Sequence, residues 1–119
     1  MMTAEQLITK LNGDLTLIEF DEVMAVINQN YTYTATEFKN GLSEMAVLNQ
    51  AGSNEGSCKI FAFAKLHGLS KQQTLACFGS YYRVDVLQHP NGNDHQNIRN
   101  FIKTGWAGVH FAKSALEVK

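Results

Sequence analysis

The 119-residue chain has the length of one domain, and its composition is that of a folded globular protein, with 45% apolar and 18% charged residues. These values exclude a disordered chain. No run approaches the roughly eighteen apolar residues that a membrane-spanning helix needs, and no basic region precedes an apolar run as in a Sec signal peptide. We therefore expect a small cytoplasmic protein, a monomer without a membrane partner.

Charge is distributed unevenly between the two halves of the chain. Residues 1–57 hold two lysines and eight acids, a net charge of −6, whereas residues 58–119 hold eight basic residues and three acids, a net charge of +5. Either the two halves pack together and attract each other, or the second half presents a basic face to an anionic partner. Because the lysines and arginines do not cluster, the sequence does not predict a nucleic-acid partner.

Two helices are predicted near the N-terminus. Thr3 and Gln6 form a capping box before a short apolar stripe that stops at Gly13. Thr16 and Glu19 form a second capping box, and apolar residues follow them at helical spacing. Residues 31–50 are ambiguous, because their aromatic residues and threonines favour extended backbone. A small β-hairpin near residues 31–48 is one prediction, and an irregular loop is the alternative.

The second half is more regular. Ser57 is expected to cap a helix over residues 58–67 that is apolar nearly all round, so this helix should be the most buried one. Ser70 and Gln73 form another capping box. We expect the helix that they open to continue through residues 80–88, where an alternating apolar pattern would also fit a strand.

The C-terminal region is predicted to hold one longer and one shorter helix. Asp94 is expected to be the N-cap of the longer helix, whose apolar residues Ile98 and Phe101 face the core. The shorter helix is expected over residues 109–116. The chain should therefore fold as a single compact domain, residues 1–119, that is mainly α-helical.

The segment HPNGNDHQNIRNF, residues 89–101, is dense in polar side chains and invites two interpretations. In the structural interpretation, the proline makes a turn and Asp94 caps the following helix. In the functional interpretation, the helix start holds a phosphate or carboxylate together with His95 and Arg99. The structural interpretation also allows Arg99 to pair with an acid of the N-terminal half.

The residue types in this region also suit two further kinds of chemistry. His89, Asp94 and His95 are residues that zinc accepts, but their spacing matches no metal motif, so we predict no metal and no cofactor. For nucleophilic catalysis, Cys58 would lie in the first turn of a helix, where its thiol pKa is lowered. His89 or His95 would then act as the base, and Asp85 or Asp94 would orient it. The alternative is that Cys58 is a reduced core thiol.

The other candidate binding residues are polar or aromatic side chains of the second half: Tyr82, Arg83, Asn97 and Trp106. Tyr82 and Trp106 are also typical core aromatics whose polar atoms need partners. Arg83 and Asp85 are expected to find partners on other elements, for instance in a buried ion pair.

Long runs of this sequence resemble the HopJ type III effector family. They are AGSNEGSCKIFAFAKLHGLS (51–70), TLACFGSYYRVDVLQHPNGNDHQNIRNF (74–101), GWAGVHF (105–111) and FKNG (38–41). The resemblance extends from about Phe20 to Phe111. It implies no established reaction and therefore no catalytic residues. It implies secretion through a type III system, a host protein as partner and a part in virulence.

One feature departs from that expectation. Type III secretion signals tend to be disordered and rich in serine, whereas the first thirteen residues here predict a capped helix. We therefore carry two hypotheses. The protein is a small soluble binding or interaction protein of the HopJ type, which takes a protein or a small anionic ligand. Alternatively, it is a small cytoplasmic enzyme or anion-binding protein that uses Cys58 or the region from His89 to Arg99.

Overall fold

The computed structural model describes residues 2–119 and begins with two helices that pack on each other. Helix α1 spans Ala4–Leu11 and starts at the predicted capping box of Thr3 and Gln6. Helix α2 spans Phe20–Asn30, but its capping box is made by Glu19 and Glu22. The predicted box of Thr16 and Glu19 is wrong, because Thr16 instead hydrogen-bonds to Asp14 in a short 3₁₀ turn.

Within residues 2–119, five short strands form two antiparallel sheets. They are β1 (Tyr31–Tyr33), β2 (Phe38–Asn40), β3 (Val47–Asn49), β4 (His110–Phe111) and β5 (Leu116–Val118). The order is β3-β2-β4 in one sheet, and β1 pairs with β5 in the other. A hairpin does form in the predicted region, as β2 and β3. However, β1 is not part of it, and the helix predicted over residues 109–116 is wrong because that segment supplies β4 and β5.

Helix α3 spans Glu55–Leu66 and lies at the centre of the core. The ring of Phe61 is fully buried and lies 5.0–6.3 Å, centroid to centroid, from four other rings. This confirms the predicted central helix. Its predicted cap is wrong, because the helix begins two residues before Ser57 and its N-cap residue is Asn54.

The next stretch is helical but interrupted. Helix α4 spans Lys71–Ala76 and starts at the predicted capping box of Ser70 and Gln73. Gly79 then breaks the helix with a φ of +58°, and a Cβ here would lie 2.7 Å from the backbone nitrogen of Phe20. A single π-helical segment, Tyr81–Val86, follows. The choice of helix over strand at residues 80–88 is therefore confirmed, whereas the continuous helix is not.

Helix α5 spans Gln96–Thr104 and ends in a 3₁₀ turn at Gly105–Gly108. Its N-cap is His95, so the predicted cap at Asp94 is wrong. No helix within residues 2–119 is long and apolar enough to cross a membrane. The chain is 53% helical and 12% strand, so the predicted predominance of helix holds, but the fold is mixed α/β rather than clearly mainly α.

Candidate functional site

The starts of helices α3 and α5 meet at one cleft of about 370 Å³, which we call the amide cleft. Seven of its lining residues belong to these two helix starts: Asn54, Gly56, Ser57, His95, Gln96, Asn97 and Ile98. The other four form its walls: Phe20, Val47, Phe78 and Tyr81. Two segments that are 40 residues apart in sequence thus supply one site.

Both helices begin without a side-chain cap. The N-cap residues Asn54 and His95 have φ values of 52° and 50°, in the left-handed region, and neither side chain accepts a hydrogen bond from its own helix. The first backbone N–H groups of a helix have no partner within the helix. The amide donors of two first turns are therefore available at the cleft. Left-handed backbone is costly for residues other than glycine, and the surrounding fold has to hold it in place.

His95 is held on two sides. Its Nε2 lies 3.0 Å from Oδ2 of Asp85, on the π-helical segment. Its ring packs against Tyr81, with the centroids 5.3 Å apart, and Tyr81 in turn packs edge-on against Phe20 at 5.0 Å. The carboxylate of Asp85 fixes the orientation of the imidazole, as a partner on one ring nitrogen does in functional histidines. The wall of the cleft is therefore an ordered aromatic and imidazole surface.

A network of asparagines connects the two helix starts behind the cleft. Asn97 donates to Oδ1 of Asn49 at 2.8 Å, and Asn49 donates back to Oδ1 of Asn97 at 3.1 Å. Asn54 donates to the same Oδ1 of Asn49 at 2.7 Å. Asn40 donates to the backbone oxygen of Asn97 at 2.8 Å. Strand β3, through Asn49, thus ties the start of α3 to the start of α5.

Arg99 lies outside the amide cleft and joins the turn at residues 89–94 to the rest of the fold. Its guanidinium donates to Oδ1 and the backbone oxygen of Asp94, each at 2.6 Å, and to the backbone oxygens of His89 at 2.9 Å and Asp85 at 3.4 Å. The hydrogen bond from Arg99 lowers the pKa of Asp94 below its usual value. The alternative in which Arg99 pairs with an acid of the N-terminal half is therefore wrong.

Gly92 lies in the same turn, and its lack of a side chain leaves room for Arg99. A Cβ at this position would lie 2.6 Å from Nη2 of Arg99, so the guanidinium occupies the space beside the glycine. Much of the polar density in residues 89–101 thus has a structural use, although His95 and Asn97 face the cleft.

Cys58 lies in the core, away from the amide cleft. Its side chain is 1% exposed, and burial raises the pKa of the thiol, partly offset by a hydrogen bond with Tyr33. A nucleophilic thiol needs the opposite shift. Burial also raises the pKa of Cys77, to about 12. His89, the other catalytic candidate, lies in the exposed turn and lines no part of the cleft.

The remaining candidates are dispersed. Arg83 lies 3.4 Å from Glu19 of the N-terminal half, and Asp85 pairs with His95, so each has a partner on another element, but neither pair is buried as predicted. Trp106 donates from Nε1 to the backbone oxygen of Leu69 at 3.2 Å. Tyr82 packs against the core. None of Tyr82, Arg83 and Trp106 lines the amide cleft.

The contribution of α3 was not anticipated. Asn54, Gly56 and Ser57 lie in a stretch that the sequence presents as a loop followed by a helix. The available signal was Asn54, because asparagine tolerates left-handed backbone better than most residues do. Within residues 2–119, no group of three or more His, Cys, Asp or Glu side chains is arranged to hold a metal ion.

The fold and the cleft define a class: a small helical domain with two antiparallel sheets and a polar cleft between two helix starts. The chain belongs to the HopJ type III effector protein family, which matches residues 4–116. It is also similar to a solved crystal structure, described as that of the unknown function protein VPA0580, at 52% sequence identity and a TM-score of 0.93. The match covers 99% of this chain and 95% of that one. None of the curated proteins matches the chain.

Proposed function

We propose that this HopJ family member is a binding protein and that its amide cleft takes a small organic anion, with a carboxylate or phosphate at the helix starts. The observation that carries the proposal is that α3 and α5 both begin uncapped at one cleft. Each helix N-terminus carries roughly half a positive charge, and its free amides bind anions. Two such termini give a stronger field than one.

The charges around the cleft support an anionic ligand. No Asp, Glu, Lys or Arg is among its lining residues, and His95 is the lining side chain that can carry a positive charge. Oδ1 of Asp94 is paired with Arg99 at 2.6 Å, and Oδ2 of the same carboxylate lies 3.9 Å from Nε2 of His95. The nearest acid that faces His95 directly is Asp85, which serves as its hydrogen-bond partner.

The walls support an apolar part of the ligand. Phe20, Phe78 and Tyr81 offer aromatic surface beside the polar helix starts, and the volume of about 370 Å³ lies in the range of small-molecule sites. A flat carboxylic acid with a ring or short chain fits this division better than an inorganic ion does.

An enzymatic role of the same cleft is the second candidate, because the pair of His95 and Asp85 resembles the oriented base of many hydrolases. Such a base needs a nucleophile within hydrogen-bond reach. Within residues 2–119, no serine, threonine or cysteine side chain hydrogen-bonds to His95. Binding is therefore the better supported proposal.

The family name adds a proposal about location. Delivery through a type III system would bring the cleft, or the surface around it, to a protein of the host cell. Residence in the bacterial cytoplasm is the alternative. A translocation assay with a reporter fused to the C-terminus separates the two, since export that depends on the secretion system is expected only in the first case.

The binding proposal is tested by titrating ¹⁵N-labelled protein with benzoate and with phosphate. Millimolar benzoate should shift the amides of Gly56, Ser57, Gln96 and Asn97 in a saturable way, and phosphate should do so more weakly. Gly56→Ala places a Cβ 3.2 Å from the ring of Phe20 and narrows the cleft, so the shifts should weaken.

Gly13→Ala is the matched control, because Gly13 is exposed and lies at the end of α1, away from the cleft. It should leave the shifts unchanged. Absence of localised shifts with either anion, or equal shifts in both glycine variants, would refute the proposal.

A further inference from the structure

We infer a second binding site in this protein, a groove for a free medium-chain fatty acid that lies between the C-terminal half of α3 and residues 111–116. The groove has a volume of about 510 Å³, within the range of small-molecule sites. The groove shares no lining residue with the amide cleft. The inference about the groove can therefore be tested independently of the proposed function. We call the site the lysine groove.

The floor of the lysine groove is apolar. Ala62 and Leu66 supply it from α3, and Phe111, Ala115 and Leu116 supply it from the C-terminal segment. Leu66 is 53% exposed, so its side chain is accessible to a ligand in the groove. When an alkyl chain displaces water from an apolar floor of this kind, the burial of apolar surface favours binding.

The floor is also fixed in shape. The ring of Phe111 stacks on Phe38 of the neighbouring strand, with the centroids 5.2 Å apart and the planes at 22°. Phe38 is buried in the core. Because this contact restrains the ring of Phe111, that part of the floor needs little reorganisation to accept a chain, which lowers the cost of binding.

The charges at the groove are of one sign. Lys65 and Lys113 both line it, both are exposed, and no Asp or Glu is among the lining residues. Within residues 2–119, neither lysine forms an ion pair. The Nζ atom of Lys65 lies 5.8 Å from the centroid of Phe111, so one ammonium group is held next to the apolar floor.

The apolar floor and the two ammonium groups together determine which class of ligand fits the groove. A short inorganic anion would leave the apolar floor uncovered, and a neutral or cationic amphiphile would gain nothing from the two ammonium groups. A single alkyl chain with a terminal carboxylate uses both features. Burial of each further methylene group should strengthen binding about fourfold, until the groove is filled.

The test is a titration with decanoate at concentrations where decanoate is monomeric. Binding is followed by isothermal titration calorimetry and by NMR. Saturable shifts should appear at the amides of Leu66, Ser114 and Ala115. Hexanoate should bind at least tenfold more weakly, and decanol, which has the chain without the charge, should also bind at least tenfold more weakly.

Variants separate the groove from non-specific binding. Lys113→Gln should weaken decanoate binding about tenfold, whereas Lys103→Gln removes an equally exposed lysine outside the groove and should not. Leu66→Asn, at an exposed position, should weaken binding without unfolding the protein, which circular dichroism verifies. The inference is overturned if decanoate causes no saturable shift, if decanol binds as tightly, or if both lysine variants behave alike. Binding of an acidic apolar peptide in the absence of decanoate binding would overturn it too.

Discussion

Arg99 shows how a single side chain can organise a turn that looks like an active site. It is 7% exposed, and its guanidinium joins three backbone oxygens and one carboxylate from the segment between Asp85 and Asp94. A planar fork with several donors suits this task in a way that lysine does not. The same features made Arg99 a plausible anion ligand from sequence.

We predict that Arg99→Gln lowers the free energy of unfolding by about 1.5–3 kcal/mol or more, since a hydrogen bond to a charged group is worth that amount and several others are lost with it. Urea denaturation at pH 7 measures the change. Arg83→Gln is the matched control: its bonds to Leu15 and Glu19 are 3.4–3.5 Å long and Glu19 is 64% exposed, so the loss should stay below about 1 kcal/mol. Equal losses in both variants would contradict the structural role of Arg99.

The ionisation of Asp94 should make the stability of the turn that Arg99 holds depend on pH. The hydrogen bond from Arg99 lowers the pKa of Asp94 below the ordinary value of 3.8 in the folded state. A carboxyl group with a lowered folded-state pKa contributes stability that is present above the ordinary value and is lost as the pH falls through the lowered one. Asp94→Asn should therefore be less stable than the native protein at pH 7, and the difference should shrink at pH 2–3. Urea midpoints at the two pH values measure it, and a difference that is constant with pH would count against the assignment.

At the scale of elements, the two helix starts explain which predictions succeeded. Capping boxes with an ordinary extended N-cap, at Thr3 and Ser70, are encoded within four residues and were predicted correctly. Asn54 and His95 have left-handed backbone, and their side chains bond to Asn49 and Asp85 instead of capping their own helices. A rule that looks for a side-chain cap directly before the apolar run places these starts at Ser57 and Asp94, and it does not foresee a left-handed N-cap residue whose side chain caps nothing. The candidate site was missed in part for the same reason.

The asparagine network should stabilise the fold as well as shape the cleft. We predict that Asn97→Ala destabilises the protein by about 1–3 kcal/mol, because the buried amide nitrogen of Asn49 loses its shortest hydrogen bond, whereas Oδ1 of Asn49 keeps the one from Asn54. Asn28→Ala, at an exposed position on α2, should change stability by no more than about 0.5 kcal/mol. Urea denaturation compares the two, and a loss in Asn97→Ala no larger than that in Asn28→Ala would contradict the network.

At the scale of the whole molecule, the sequence patterns did not predict how distant strands pair into sheets. The helices follow from local periodicity, and the hairpin of β2 and β3 follows from Asn40-Gly41 together with the aromatic and β-branched residues nearby. The partner of β1 is β5, more than 80 residues later, and β4 has two residues. Strands this short carry no measurable alternation of their own, so residues 109–116 gave a helical prediction although tertiary pairing decides their structure.

These distant pairings should make the fold unfold as one unit. Strand β5 closes the chain on β1, with Tyr31 opposite Val118, and Leu116 of β5 is 4% exposed. Trp106 packs against Phe61 and Phe101 in the core and reports on the second half, whereas far-ultraviolet circular dichroism reports on all the helices. We predict that both signals give one coincident urea transition, and that Leu116→Ala shifts both midpoints equally, with a loss of about 2–5 kcal/mol. If the Trp106 signal in Leu116→Ala changed at a different urea concentration from the helical signal, the C-terminal strand would be an independent appendage and not the closure of the fold.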